Sequence, residues 1–239
     1  MNRLLAIDSA TDALSLALAD ERGCESLHRV MPRQHQQLLF SLLDELLHGR
    51  KLSELNLQAI VYGRGPGSFT GLRIAVSAAQ GLAFSLKIPV IGVSSLETQV
   101  RTLLRTEPGV GPSRILSCID ARIGQVYGQW FDWDGSVLIS RGEAFVAVPE
   151  AIEQPNGADT QHSSLLGVGS GLRFLEAMPE TIRGQATCWP EVLPEARDMF
   201  LTAAQALEAG EVQDPMFAAP DYVQTRIGWK TLAEQGRVA

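Results

Sequence analysis

The chain has 239 residues, enough for one large domain or two small ones. Hydrophobic residues make up 45% and charged residues 20%, a balance typical of globular rather than disordered chains. The net charge is −7 and no basic run exceeds Arg50-Lys51, which argues against unaided nucleic-acid binding, since that needs a basic patch.

The apolar run Leu4-Leu5-Ala6-Ile7-Asp8 reads as a strand that ends on an aspartate. An extended pattern over 13–19 and the turn Asp20-x-x-Gly23 follow, which predicts a β-hairpin. The first residues carry too few apolar side chains for a signal peptide, and no segment approaches the ~20 apolar residues of a membrane span. Cys24, Cys118 and Cys188 are odd in number and far apart. They fit buried thiols in a reducing compartment, and a cytoplasmic location is expected.

Leu38, Leu39, Leu42, Leu43, Leu46 and Leu47 form a broad apolar stripe that predicts a helix over 35–47, with Phe40 beside it. A strand over 57–62 leads into Gly63-Arg64-Gly65-Pro66-Gly67-Ser68-Phe69-Thr70-Gly71-Leu72-Arg73. This loop is neither a Walker A sequence nor G-x-G-x-x-G. Its glycines and the free N–H groups of the next helix would suit a phosphate or carboxylate, or simply a tight strand-to-helix turn. That helix, over 70–86, is apolar nearly all round, with a thin polar line at Arg73, Ser77 and Gln80. Ser77, Gly81 and Ser85 recur every fourth position, where another backbone could pack closely. A strand over 90–93 and the capping box Ser94-Ser95-Leu96-Glu97 open a further helix.

After the linker Pro108-Gly109-Val110-Gly111-Pro112 the opening pattern returns 112 residues later. Leu116-Ser117-Cys118-Ile119-Asp120, an extended stretch over 125–131 and Asp132-x-x-Gly135 match the first hairpin. Val168-Gly169-Ser170-Gly171-Leu172-Arg173 reads as a surface turn, and a helix over 195–209 ends at Gly210. Strands alternating with helices in both parts predict an α/β protein of two related lobes. The expected bounds are 1–107 for the first lobe, completed by 215–239, and 113–212 for a smaller second lobe. His28, His35, His48 and His162 include no i, i+4 pair, so no metal site is expected.

Together the loop, repeat and helices resemble the actin-like ATPase superfamily, whose two ribonuclease H-like lobes each hold a mixed sheet with packed helices. More closely, three stretches are similar to the TsaB (YeaZ) family of tRNA threonylcarbamoyladenosine biosynthesis proteins. These are Ala6-Ile7-Asp8-Ser9-Ala10-Thr11-Asp12, Gly65-Pro66-Gly67-Ser68-Phe69-Thr70-Gly71-Leu72-Arg73-Ile74, and Asp120-Ala121-Arg122-Ile123-Gly124-Gln125-Val126-Tyr127. The tail from Pro220-Asp221-Tyr222-Val223 to Trp229-Lys230 is similar as well. The resemblance implies a non-catalytic partner required by the transferase TsaD, with TsaE joining the complex. It implies a homodimer when alone, tRNA contact only through the complex, and no membrane. Ser95 and Gln99 stand where the metal-binding histidines of TsaD would be.

The partner interface implied comprises His35, Phe40, Leu43, Arg73, Ser77, Gln80 and Gly81. Vestigial nucleotide-facing loops would hold Asp8, Ser9, Thr11, Gly65, Gly67, Ser68 and Asp120. No tightly bound cofactor is expected; ATP or ADP would bind weakly or within the complex. The competing reading is an actin-like small-molecule kinase or ATPase using Asp8 and Asp120, which lacks most of the phosphoryl-transfer apparatus.

Overall fold

The computed structural model describes residues 2–155 and 164–223. Its strands are β1 (Leu4–Asp8), β2 (Ala13–Asp20), β3 (Gly23–Val30), β4 (Ala59–Gly65), β5 (Val90–Ser94), β6 (Ser113–Asp120), β7 (Val126–Trp133), β8 (Leu138–Ala147), β9 (Ser164–Val168) and β10 (Ala186–Trp189). The helices are α1 (His35–Leu47), α2 (Phe69–Leu86), α3 (Ser95–Thr106), α4 (Glu180–Arg183) and α5 (Phe200–Ala209).

The internal repeat is visible as topology. One sheet has the order β3-β2-β1-β4-β5, and the other, taken from its hairpin side, has β8-β7-β6-β9-β10. β1 pairs antiparallel with β2 and parallel with β4, and β6 treats β7 and β9 in the same way. Asp8 and Asp120 therefore end equivalent central strands.

Both faces of the first sheet are covered, which is why β2 is buried at every position rather than at alternate ones. Leu5 and Ile7 join Leu39, Leu42, Leu43, Leu46, Ala75 and Ala79 under α1 and α2. Leu4 and Ala6, on the opposite face, join Ala196, Met199 and Ala203. Those last three residues come from the predicted helix over 195–209, which is a short 3₁₀ segment at 196–199 followed by α5. Hence α5 packs on the first sheet, whereas Leu96, Val100 and Leu103 of α3 pack on the second, beside Ile115, Ile119 and Phe131. This exchange crosses the sequence-based bounds at 107 and 212, because a helix joins whichever sheet its apolar stripe can reach.

The capping box at α3 is only half formed. The Ser94 hydroxyl accepts from Glu97 N at 3.4 Å, but the Glu97 carboxylate turns to Arg101 and Thr202. Cys24 is exposed, contrary to the expectation of three buried thiols; Cys118 is buried, and burial raises its thiol pKa. Among the described helices, α2 alone is long and apolar enough by composition to cross a membrane. One of its sides is nevertheless packed on the first sheet.

Leu43 and Phe40 separate core from surface on α1. Leu43 is 3% exposed inside the main cluster, whereas Phe40 is 58% exposed. Leu43→Ala is expected to cost about 3 kcal/mol and Phe40→Ala less than about 0.5 kcal/mol. Urea unfolding of the two variants checks this.

Candidate functional site

The start of α2 is locked to the turn after β1 by backbone contacts. Ser68 N donates to Ala10 O at 2.7 Å, and the Ser9 hydroxyl donates to Gly71 O at 2.7 Å. Ser68 caps the helix by accepting from Gly71 N at 3.3 Å. A Cβ on Gly67 would overlap Ala10 O, and one on Gly71 would overlap Ser9 O. The glycines of this loop thus admit the chain's own backbone, the structural alternative left open by the sequence. Gly65, buried at φ 110°, completes the turn into a cis peptide bond with Pro66.

Asp8 and Ser9 are fully buried and Thr11 nearly so. Asp8 Oδ1 accepts from Ala10 N at 3.0 Å, and Oδ2 accepts from the Ser95 hydroxyl at 3.3 Å. Backbone atoms of Gly63 close the space beside Oδ2, since a Cβ there would overlap that oxygen. Burial outweighs these hydrogen bonds and pushes the Asp8 carboxyl up to about 6.

The second aspartate has different surroundings. Asp120 accepts from Arg122 N at 2.8 Å and from the Arg173 guanidinium at 3.2 Å. Its own N–H donates to the Ser170 hydroxyl. Arg122 reaches across to Asp12 at 2.6 Å. Between these groups lies a cleft of about 560 Å³, lined by Thr11, Gly67, Ser68, Thr70, Asp120 and Tyr127 among others. Asp8 does not line it. The cleft therefore brings together Thr11, Gly67, Ser68 and Asp120 of the predicted loop set, while Asp8, Ser9 and Gly65 lie behind its wall.

Ser95 and Gln99 are fully buried on α3. Gln99 Nε2 donates to Val168 O at 2.8 Å, and its Oε1 has no hydrogen-bond partner in the described structure. Gly169, at φ 102°, packs against that amide, so the predicted surface turn is a buried close approach. Among the described residues, no three His, Cys, Asp or Glu side chains gather as a metal site. His162 lies outside the described residues.

The predicted interface set divides in three. Phe40, Arg73, Ser77 and Gly81 are exposed on the paired helices. His35 and Leu43 are buried: the His35 ring lies 3.3 Å from Asp12 O and Leu43 is in the core, so both support the face from beneath. Gln80 is half-buried because its amide donates to Ala218 O, joining α2 to the returning chain. Sequence reasoning missed Phe69 and Phe84, which are 55% and 80% exposed, and Tyr222, whose ring packs tilted at 33° beside Phe69. Aromatics in an otherwise small-residue helix were the available signal. Phe40, Phe69, Arg73, Ile74 and Ser77 line a groove of about 460 Å³ between α1 and α2.

Residues 28–208 match the family model "TsaD: tRNA N6-adenosine threonylcarbamoyltransferase". The chain is 33% identical to the tRNA threonylcarbamoyladenosine biosynthesis protein TsaB of Escherichia coli, covering 96% of this chain and 98% of the relative. Identity to the Haemophilus influenzae protein of the same name is 27%, with 96% of each chain covered. The solved structure of YeaZ from Pseudomonas aeruginosa superposes with a TM-score of 0.82 at 36% identity, covering 93% of this chain and 100% of that one.

Proposed function

The chain belongs to the TsaB (YeaZ) family and serves tRNA threonylcarbamoyladenosine biosynthesis; we propose that it does so as a non-catalytic partner of the transferase TsaD. The observation that carries this reading is the α1–α2 face. Two helices whose inner sides fill the main core carry Phe40, Phe69 and Phe84 outward, around the small residues Ser77 and Gly81. Exposed aromatics beside small residues provide anchors and allow close helix approach, the pattern of an interface centre. The chain then acts by favouring the TsaD conformation that binds its substrates.

In the same reading the chain is cytoplasmic, forms a homodimer through this face when alone, and yields it to TsaD. TsaE joins the pair, tRNA is met only within the complex, and ATP or ADP binds weakly in the cleft or at the junction. The kinase or ATPase alternative gains nothing from Asp8, whose carboxylate faces Ser95 and Ala10 rather than the cleft.

Titration of TsaD against three forms tests the partner reading. Phe40→Asp is expected to weaken binding about 100-fold, roughly 3 kcal/mol. A Cβ at Gly81 meets open space and the residue is a poor helix former, so Gly81→Phe should fold normally while weakening TsaD binding at least ~10-fold. Unchanged affinity in both variants, with normal thermal unfolding, would overturn the assignment of this face.

A further inference from the structure

The C-terminal half of α2 is one wall of a second groove, of about 910 Å³, and segment 212–216 is the facing wall. Hydrogen bonds fix the two walls to each other. Val90 N donates to Gln213 O and Gln213 N donates to Val90 O, both at 2.9 Å, just past the end of α2. Nearer the helix middle, Gln80 Nε2 donates to Ala218 O at 3.2 Å. Segment 213–218 therefore runs beside α2 in the opposite sense. Lys87 and Asp214 stand on opposite walls at one end, and Phe84 is level with Met216. Phe84 is 80% exposed and Met216 73%, so each wall presents one large apolar side chain to solvent.

We propose that a second copy of this chain seats on this groove, related to the first by a two-fold axis running along it. Such an axis lays the α2 wall of one copy on the 212–216 wall of the other. Phe84 then meets Met216 of the second copy, a favourable ring–sulfur contact, and Lys87 meets its Asp214. Each contact is made twice. Two copies bring four large exposed side chains, roughly 600 Å² of burial at ~150 Å² each. The walls around them, with Ile88 and Val212, supply the remainder of the ~1,200 Å² that a specific pairing needs.

Charge favours a like copy as the occupant. Each groove holds one cation and one anion, so a flipped copy matches both, whereas elsewhere two chains of net charge −7 repel. The proposal rests on the reading of the chain as a homodimer when alone, and it names the contact. Phe84 also belongs to the face assigned to TsaD, so pairing and TsaD binding exclude one another. Lys87 and segment 212–216 serve pairing alone.

Sedimentation velocity of the full-length chain at low ionic strength tests this. Lys87→Asp sets two like-charged pairs across the axis, as does Asp214→Lys, and each variant alone should pair at least ~10-fold more weakly. Mixed in equal amounts, the two variants regain both opposite-charge contacts and should pair nearly as tightly as the parent. A monomeric parent, unaffected single variants, or a mixture no tighter than its components would overturn the proposal. Asp214 also accepts from Met216 N at 2.8 Å, so Met216→Asp, at an exposed position, provides a second variant that keeps this cap. It should be monomeric and bind TsaD at least as tightly as the parent. Loss of TsaD affinity in Met216→Asp would assign the groove to TsaD instead and overturn the pairing. If mixing restores pairing while no form binds TsaD, the partner reading falls and the pairing stands.

Discussion

Gly71→Ala is expected to destabilise the protein by about 3 kcal/mol. The added Cβ would overlap Ser9 O, a backbone atom that cannot swing aside as a flexible side chain would. Relief requires α2 to move away from the turn after β1. That movement also stretches the Ser9 Oγ to Gly71 O hydrogen bond of 2.7 Å and the Ser68 N to Ala10 O bond of 2.7 Å. For a chain of this size the loss corresponds to a fall in Tm of roughly 6–12 °C. Because α2 carries half of the proposed partner face, TsaD affinity should fall with stability. Calorimetry of Gly71→Ala, with Gly81→Ala as the matched control in open space, checks the first part. A change below about 1 kcal/mol would mean that the turn yields more easily than its contacts imply.

Asp8→Asn is expected to stabilise the protein near neutral pH, the opposite of what a required carboxylate would predict. The folded carboxyl is pushed up to about 6 from an ordinary value of 3.8. Between those values the folded chain holds a proton that the unfolded chain has released, so stability falls as pH rises through this window. Above about pH 6 the full penalty of a buried charge applies, on the order of 3 kcal/mol. Asparagine retains an acceptor for Ala10 N and removes the charge. The difference between Asp8→Asn and the parent should be small at pH 4 and favour the variant by about 1–3 kcal/mol at pH 7.5. Denaturant unfolding at both pH values measures it, and a variant less stable at pH 7.5 would place a compensating cation or proton donor beside Asp8.

Much of the architecture was legible because the apolar patterns are long and regular. The leucine stripe marked α1 to the residue, and the 112-residue offset between Asp8 and Asp120 marked two central strands of matching topology. Pairing of helices with sheets was not legible. α3 and α5 each carry an apolar stripe, but nothing local states that α3 covers the second sheet and α5 the first. Burial depth was equally hidden: Leu43 and Phe40 are three residues apart and both apolar, and only the turn of the helix sends one inward. Asp8 and Asp120 look alike in sequence, yet a third-dimension neighbour, Ser95, closes over the first while the Arg173 guanidinium reaches the second.

The most direct test of a partner without catalytic carboxylates is reconstituted tRNA threonylcarbamoylation. TsaD, TsaE, threonylcarbamoyl-adenylate synthase, ATP, threonine, bicarbonate and tRNA would be combined with each form of this chain. Omitting the chain should abolish modification, Asp8→Asn with Asp120→Asn should restore it to within about twofold of the parent, and Phe40→Asp should leave it at least ~10-fold lower. Loss of modification in the double aspartate variant, with TsaD affinity unchanged, would contradict the account and place chemistry in the cleft.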